Sequence, residues 1–331
     1  MTLDATPQAP PPQAVIMDTV FSFFRARTMQ VFAELEVADA IAAGREPGVN
    51  RRFLDACAAI GLLTRTDEGA YRLTPAGETL RSDVPGSMRG FAAAVIGGAH
   101  YKAWGDLAHS ARTEACAADR VLGEDIWSYF TKTNPAEGRL FQQAMAGSSA
   151  MIVPQVIASY DFPEYGLFVD VAGGNGELLT AILQARPGAR GIVMDLPFVE
   201  AEAKRNVAAH GVADRCGFVP GDFFQSVPAG GDVYLMKWIL HDWSDAKAAM
   251  ILGSLHRAMP SHAKLLLVET VVPETENAEF GRLMDINMMV MCGGKERTER
   301  EWRALLGAAG FALLRVVPMP GPVSIVEAVK Q

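Results

Sequence analysis

The sequence lacks several features that would place it in other protein classes. No apolar run reaches the roughly 18 residues that a transmembrane helix needs, so no membrane span is expected. Basic residues are too few for a nucleic-acid or anionic-membrane partner, because 30 Lys and Arg stand against 38 Asp and Glu, a formal charge of −8. The stretch 1–13 is Pro-rich and lacks a basic start followed by an apolar core. It predicts a disordered lead, not a secretion signal.

Cysteine is also scarce. The four cysteines are scattered without metal-binding or redox spacing, at Cys57, Cys116, Cys216 and Cys292. Reduced thiols in a cytoplasmic enzyme, without a metal site, are therefore expected. The 331 residues, half of them hydrophobic, suffice for two domains or for one domain with a large extension.

A glycine-rich turn lies at the centre of the chain. Three glycines follow the apolar run 167–172, and apolar residues then recur at helical spacing. A strand, a glycine turn and a helix in this order place free helix amides where a ligand can approach closely. The next predicted strand, 190–194, ends at Asp195, 21 residues after Gly174, where a carboxylate suits a ribose diol. This unit alone does not choose between a nicotinamide nucleotide and S-adenosylmethionine.

Strands and helices alternate from residue 166 onward, which predicts an α/β domain with an open, doubly wound, mostly parallel sheet. Seven strands are expected near 167–172, 190–194, 215–219, 232–237, 263–269, 311–317 and 323–329. The link 318–322 is too short for a parallel crossover, so the last two strands must form an antiparallel hairpin. Ordinary dinucleotide-binding folds rarely end this way.

The N-terminal part predicts helices followed by a small β wing. Helical spacing over 14–43 is interrupted near Glu36, and 51–60 forms a third helix with Gly61 at its C-terminal cap. A hairpin follows, with strands at 62–66 and 70–74. This order is typical of a winged-helix module. Because the chain is acidic, a dimer interface is a better interpretation than DNA binding.

A mostly helical segment connects the two parts. Its residues Phe141, Met145, Ser148 and Ser149 recur at spacings of three to four, so several share one helical face. Such a stripe is often ordinary core, but the two serines favour a pocket lining.

Chemically capable side chains follow the predicted strand ends, where ligands bind in such sheets. Asp222 could accept a hydrogen bond from an adenine amino group while Phe223 or Trp243 covers the ring. His241 is the predicted general base, because a histidine of ordinary pKa is available as a neutral base at cell pH. The alternative is a structural histidine bonded to the backbone.

Two glutamates accompany this histidine in the prediction. Glu269, at the end of the fifth strand, is expected to accept a hydrogen bond from the ring and fix its tautomer. Glu296 precedes a capping box formed by Thr298 and Glu301, and is free to point toward the cleft.

Six motifs of the sequence are DVAGGNG, MDLP, GDFF, KWILHDW, LLVET and GGKERTEREW. Together they resemble those of the S-adenosylmethionine-dependent small-molecule O-methyltransferases. This family includes plant caffeate-type enzymes and bacterial polyketide and hydroxyneurosporene-type enzymes. The resemblance covers roughly residues 14–331. It implies S-adenosylmethionine as cofactor, a class I methyltransferase sheet, and a homodimer joined through an N-terminal winged-helix domain. The expected divisions are a lead at 1–13, a dimerisation domain at 14–95, a helical connector lining the substrate pocket at 96–160, and a cofactor-binding catalytic domain at 161–331.

The resemblance also implies roles for individual residues. Catalysis would involve His241, Glu269 and Glu296. The cofactor would be bound by Gly174, Asp195, Asp222, Phe223, Lys237, Trp243 and Ser149. The acceptor pocket would be lined by Phe141, Met145, Ser148, Met284, Asn287, Met288, Met291 and His100. The methionines suggest an adaptable apolar pocket, so a phenol, enol or other hydroxyl on a flat or extended apolar scaffold is the expected acceptor.

Two departures from the family pattern are visible. Ala172 stands where the glycine run usually begins with glycine, and a methyl group is expected to be tolerated there. The segment 44–50 is too short for the middle helix of a winged helix, so the N-terminal domain is predicted to be abbreviated.

Three other functions are compatible with parts of the sequence. An NAD-dependent dehydrogenase shares the glycine turn and Asp195, but explains neither the LHDW cluster nor the terminal hairpin. A relative that binds S-adenosylmethionine for rearrangement, decarboxylation or hydroxylation shares more of the motifs. A winged-helix regulator with a vestigial enzyme domain is disfavoured by the acidic charge.

Overall fold

The computed structural model describes residues 10–275 and 278–331. Most of the predicted lead 1–13 lies outside these residues, and the first helix already begins at Pro12. The chain divides into two compact units. One comprises residues up to Tyr101 with Ala136–Gly147, and the other comprises Lys102–Pro135 with Ser148–Gln331. The predicted connector 96–160 therefore contributes to both units, and its role and that of the N-terminal part stay predictions.

The first unit begins with helices and a short hairpin, as predicted. Its elements are α1 (Pro12–Glu34), α2 (Val37–Ala42), α3 (Arg51–Ala59), β1 (Leu63–Arg65), β2 (Tyr71–Leu73), α4 (Pro75–Glu78) and α5 (Arg89–Val95). The break between α1 and α2 comes from Glu36, whose φ of +54° is left-handed. The side chain of Asn50 caps α3 by accepting from the Phe53 amide. The segment 44–50 contains no helix, as expected from its length.

The next elements are helical, which confirms the prediction for this segment. They are α6 (Gly98–Gly105), α7 (Leu107–Thr113), α8 (Ala117–Leu122), α9 (Ile126–Ser128), a π-helical turn (Tyr129–Thr133) and α10 (Pro135–Ser159). Among the described residues, no helix is long and apolar enough to span a membrane.

The second unit contains a seven-stranded sheet, in agreement with the sequence pattern. Its strands are β3 (Tyr165–Val171), β4 (Gly188–Asp195), β5 (Cys216–Pro220), β6 (Val233–Lys237), β7 (Lys264–Thr270), β8 (Phe311–Pro318) and β9 (Val323–Lys330). Their spatial order is β5-β4-β3-β6-β7-β9-β8. The first five strands are parallel, and the last two form the predicted antiparallel hairpin.

Helices cover both faces of this sheet. They are α11 (Glu177–Ala185), α12 (Glu200–Ala209), α13 (Asp245–Ala258), α14 (Glu279–Cys292) and α15 (Glu299–Ala308). Because strand side chains alternate between faces, Val169 packs with α13 and α15, whereas Phe168 packs with α11. The strand order reverses between β3 and β6, and a crevice for a ligand forms at such a point beyond the carboxyl ends of the strands.

Candidate active site

Asp195 ends β4, as predicted, and its carboxylate accepts hydrogen bonds from the glycine turn after β3 and from its own loop. The Gly174 amide donates to Oδ2 of Asp195 at 2.8 Å, and the Leu196 amide donates to Oδ1 at 2.6 Å. Gly174 has a φ of +58°, and a Cβ built on it would meet no atom within 4 Å. The turn therefore leaves open space beside an oriented carboxylate, which suits a ligand with a hydroxyl pair.

Ala172 precedes these glycines and occupies the left-handed region with a φ of +57°. For a residue with a Cβ this conformation costs roughly 1–2 kcal/mol. The methyl group is accommodated as expected, but in a backbone conformation that favours glycine.

Lys237, which is half-buried, and the buried Asp170 interact electrostatically near the turn. Burial lowers the pKa of Lys237 to about 8, although the carboxylates of Asp170, Glu269 and Glu177 oppose this shift. Burial also raises the pKa of Asp170 to about 7, with Lys237 opposing. The sequence predicts Lys237 as a ligand-binding residue but overlooks Asp170, whose signal is a charge inside an otherwise apolar strand.

An aromatic group follows the ends of β5 and β6. The Trp243 ring meets Phe224 edge-on at a centroid distance of 4.9 Å, whereas Phe223 lies 6.1 Å away. Trp127 lies at 6.2 Å from the same ring. Asp222 accepts from the Phe224 amide at 2.9 Å. The predicted residues of this group come together, and Phe224 and Trp127, which the sequence does not single out as ligand residues, join them.

His241 lies on a 3-10 turn (Leu240–Asp242) after β6 and is buried. Its Nδ1–H donates to Oε1 of Glu296 at 2.7 Å. Oε2 of Glu269 lies 3.8 Å from the same nitrogen, and Oδ1 of Asp242 lies 3.5 Å from Nε2. The structure thus brings the three predicted catalytic residues together, but Glu296, not Glu269, is the close partner that orients the ring.

The pKa of the ring differs from the ordinary value expected from the sequence. Burial lowers the pKa of His241, but the carboxylates of Glu269, Asp242 and Glu296 outweigh it and raise the pKa to about 10. Burial raises the pKa of Glu269 to about 7, with His241 opposing. The surrounding carboxylates therefore favour the protonated form of the ring in the protein without ligands, and the role of His241 as the general base stays a prediction.

Glu269 instead holds the backbone of the histidine turn. Its Oε1 accepts from the amides of Ile239 at 3.1 Å and Leu240 at 2.9 Å. Arg297, which the sequence does not single out, is fully buried and donates to the carbonyls of Leu240 at 3.0 Å and Trp243 at 2.9 Å. An arginine in a polar motif gives no local signal of such burial.

The loop before α15 also contacts this turn closely. The Lys295 amide donates to the His241 carbonyl at 2.8 Å. A Cβ on Gly294 would lie 2.1 Å from the same carbonyl oxygen, so only glycine fits there. The predicted capping box of Thr298 and Glu301 is present and fixes the start of α15.

The predicted acceptor residues fall in both units. In the second unit, α14 packs against the histidine turn and carries Met284, Asn287, Met288 and Met291. Met288 and Met291 are buried, and Asn287 Oδ1 accepts from Trp104 Nε1 at 2.8 Å. Ser148 and Ser149 are buried on the part of α10 that belongs to this unit.

The remaining predicted acceptor residues belong to the first unit. There the buried His100 stacks on Phe141 with ring centroids 6.0 Å apart, and burial lowers the pKa of His100 to about 4. Met145 is half-buried on α10. A role of these three residues in acceptor binding stays a prediction.

The chain is similar in sequence to known methyltransferases. Residues 104–312 match the model of a family described as an O-methyltransferase domain. The chain is 38% identical to a phenazine O-methyltransferase of Lysobacter antibioticus over 340 residues, which covers 99% of both chains. It is 33% identical to an 8-amino-8-demethylriboflavin N,N-dimethyltransferase of Streptomyces davaonensis, over 87% of this chain and 83% of that protein.

Solved structures of methyltransferases have the same fold as this chain. The crystal structure of LaPhzM superposes with a TM-score of 0.91 at 38% identity, covering 97% of this chain and 100% of that one. An O-methyltransferase of neocarzinostatin biosynthesis, in complex with S-adenosyl-L-homocysteine and 1,4-dihydroxy-2-naphthoic acid, gives a TM-score of 0.76 at 33% identity, with 92% and 96% covered.

Proposed function

Because this chain belongs to the S-adenosylmethionine-dependent O-methyltransferase family, we propose that it methylates a hydroxyl group of a flat, largely apolar natural-product-like acceptor, with His241 as the general base. The observation that carries this proposal is the oriented imidazole. Its Nδ1 is held by Glu296, which leaves Nε2 for the proton of the acceptor.

The residues around the glycine turn fit the cofactor of the family. The open space beside Gly174 and the oriented Asp195 carboxylate suit a ribose diol. Asp222 with the aromatic group of Phe223 and Trp243 suits an adenine, and Lys237 and Ser149 complete the proposed set. S-adenosylmethionine supplies an activated methyl group, so the protein's remaining tasks are alignment and removal of one proton.

His241 performs the second task in this proposal. Its Nε2 takes the hydroxyl proton of the acceptor, while Nδ1–H stays bonded to Glu296. The surrounding carboxylates then stabilise the imidazolium that forms. General base catalysis of this kind contributes about 10²–10⁴ in rate, and alignment in a dry pocket supplies roughly 7–11 kcal/mol.

The experiment is a methyl-transfer screen. Purified protein and S-adenosylmethionine are incubated with planar phenols, enols, aromatic amines and N-heterocycles, and each product is scored by mass spectrometry for a gain of one methyl group. Substitution of oxygen in the products supports the proposal. Because relatives named as N-methyltransferases exist, exclusive methylation of nitrogen would overturn the hydroxyl assignment. His241→Ala should still bind S-adenosylmethionine and lose nearly all turnover with a hydroxyl acceptor, and unchanged turnover would remove the base assignment.

The helix α1 supports a further part of the proposal, a homodimer through the N-terminal region. Its large apolar residues are about half exposed: Val15, Ile16, Met17, Val20, Phe21, Phe23 and Phe24. Seven exposed apolar side chains on one helix are typical of an interface. Replacing Phe21 and Phe24 by Glu should give a monomer in sedimentation experiments. Met250→Glu, at an exposed site on α13, is the matched control and should leave the oligomeric state unchanged.

A further inference from the structure

The surroundings of His241 raise the question of when its ring becomes a base. Three carboxylates converge on it from different parts of the fold: Glu296 from the loop before α15, Glu269 from β7 and Asp242 from its own turn. Over residues 10–275 and 278–331, the His241 ring is the only basic group within 4 Å of these three carboxylates.

Buried oxygens in this cluster also lack hydrogen bonds. Oε2 of Glu269 and Oε2 of Glu296 have no hydrogen-bond partner among the described residues, although Glu269 is fully buried and Glu296 is 2% exposed. Uncompensated buried carboxylates are costly, so this cluster favours a positive charge. Among the described residues, the group that can supply this charge within 4 Å is the His241 ring.

Other charged or titratable groups around the ring are few. From α14, Cys292 lies 3.9 Å from Oδ1 of Asp242, and Asp285 accepts from the Glu296 amide. From β6, Lys237 interacts with Glu269 and Asp170. The buried Arg297 donates to the Leu240 carbonyl of the same turn but pairs with Asp245. Neither it nor Lys237 lies within 4 Å of the three carboxylates, which agrees with the raised pKa of His241 described above.

We infer that His241 is protonated in the free enzyme and that binding of S-adenosylmethionine releases its Nε2 proton to solvent, so that the ring becomes a base only when the methyl donor is present. This inference rests on the proposed function. Because the proposed transfer requires the acceptor oxygen to lie between Nε2 and the methyl group, the bound sulfonium would add a second positive charge near the same carboxylates, and like charges in a buried site disfavour each other.

The inferred cycle is balanced in atoms and charge. One proton leaves Nε2 for solvent when the cationic cofactor binds. In the transfer step, the acceptor O–H bond breaks and its proton joins Nε2. The methyl–oxygen bond forms as the methyl–sulfur bond breaks, and that electron pair stays on sulfur. The ring ends as the imidazolium of the resting enzyme, and the net reaction releases one proton.

The experiment measures protons without any methyl transfer. S-adenosylmethionine and the uncharged-sulfur product S-adenosylhomocysteine are titrated into the wild-type protein and His241→Asn, without acceptor. Calorimetry at pH 7.5 in phosphate and in Tris gives the number of protons released, because these buffers differ in their heat of protonation. The variant serves as the control for titration of the ligand's own amino group and of Lys237.

On binding S-adenosylmethionine, the wild-type protein should release more protons than the variant, and the difference should approach one proton. The excess should be smaller for S-adenosylhomocysteine. The wild-type affinity for S-adenosylmethionine, relative to that of the variant, should rise with pH by up to about tenfold per unit. Equal release by both proteins, or an equal excess with both ligands, would overturn the inference.

A second measurement covers the case in which His241→Asn does not fold. Nitrogen-15 spectra of the six histidines in the wild-type protein report ring protonation directly, and Glu296→Gln assigns the His241 signal. The ring should carry two N–H groups in the free protein and one in the S-adenosylmethionine complex. A ring that is neutral in the free protein, or doubly protonated in the complex, contradicts the inference. Methyl transfer to a hydroxyl and its loss in His241→Ala would still support the proposed function in that case.

Discussion

Nδ1 of His241 lies 2.7 Å from Oε1 of Glu296, whereas the nearest oxygen of Glu269 lies 3.8 Å away. The other oxygen of Glu269 is engaged by two backbone amides of the turn that carries the histidine. The two glutamates therefore have different tasks: Glu296 orients the ring, and Glu269 holds its backbone.

This division predicts different effects for two conservative substitutions. Glu296→Gln should lower kcat by roughly 10²-fold, toward the lower end of what a general base contributes, and should still bind S-adenosylmethionine. Glu269→Gln should lower the melting temperature as well as kcat, because the charge that holds the two amides is lost. Steady-state kinetics, calorimetry and thermal unfolding test both variants. A normal kcat in Glu296→Gln would refute its orienting role.

The raised pKa of His241 predicts a pH-dependent contribution to stability. A histidine whose pKa rises from 6.5 to about 10 on folding stabilises the fold fully below pH 6.5, and this contribution is lost as pH rises toward 10. The free energy of unfolding of the wild-type protein should therefore fall, relative to that of His241→Asn, between these pH values. Urea unfolding of both proteins at several pH values measures this difference, and a constant difference would contradict the prediction.

Asp195 should contribute directly to cofactor affinity. Asp195→Ala removes the acceptor proposed for the ribose and leaves the amides of Gly174 and Leu196 without their partner. Because a hydrogen bond to a charged group contributes about 1.5–3 kcal/mol, S-adenosylmethionine should bind roughly 10–100-fold more weakly. Asp195→Asn keeps one acceptor oxygen and should show a smaller loss. Wild-type affinity of the Ala variant in calorimetry would refute the ribose role.

Gly294 should not tolerate a side chain. In Gly294→Ala, the Cβ would lie 2.1 Å from the His241 carbonyl oxygen, so the histidine turn must move and turnover should be lost. Gly307→Ala is the matched control, because a Cβ there meets nothing within 4 Å and the residue lies inside α15. It should raise stability by about 0.5–1 kcal/mol and leave turnover intact. Wild-type turnover in Gly294→Ala would mean that the turn can relax without consequence.

Ala172→Gly should differ from an ordinary substitution of alanine by glycine. Relief of the left-handed conformation, roughly 1–2 kcal/mol, offsets the extra flexibility of glycine in the unfolded chain, about 0.4–1 kcal/mol. The variant should therefore be as stable as the wild-type protein or slightly more stable. Ala304→Gly, at an exposed position in α15, should instead lose roughly 0.5–1 kcal/mol. Equal losses in chemical denaturation would contradict the strain assigned to Ala172.

The elements of the fold are predictable because their signals are local. Apolar runs of strand length, glycines after β3 and the short link between β8 and β9 each act within a few residues. The same holds for the capping box at Thr298, which needs only a side chain three residues away. For the site, these signals predicted which residues follow the strand ends and that His241 would be among them.

Local sequence signals are sufficient to predict the sheet, its terminal hairpin and the set of residues at its carboxyl edge. Three further features depend on the folded chain: Glu296 rather than Glu269 holds Nδ1 of His241, Arg297 is buried under the turn, and the surrounding carboxylates raise the pKa of the ring. The physical reason is that these properties depend on residues far apart in the chain: Glu296 is 55 positions from His241. The pKa of a buried group follows from the sum of all charges and the burial around it, and no local pattern contains that sum.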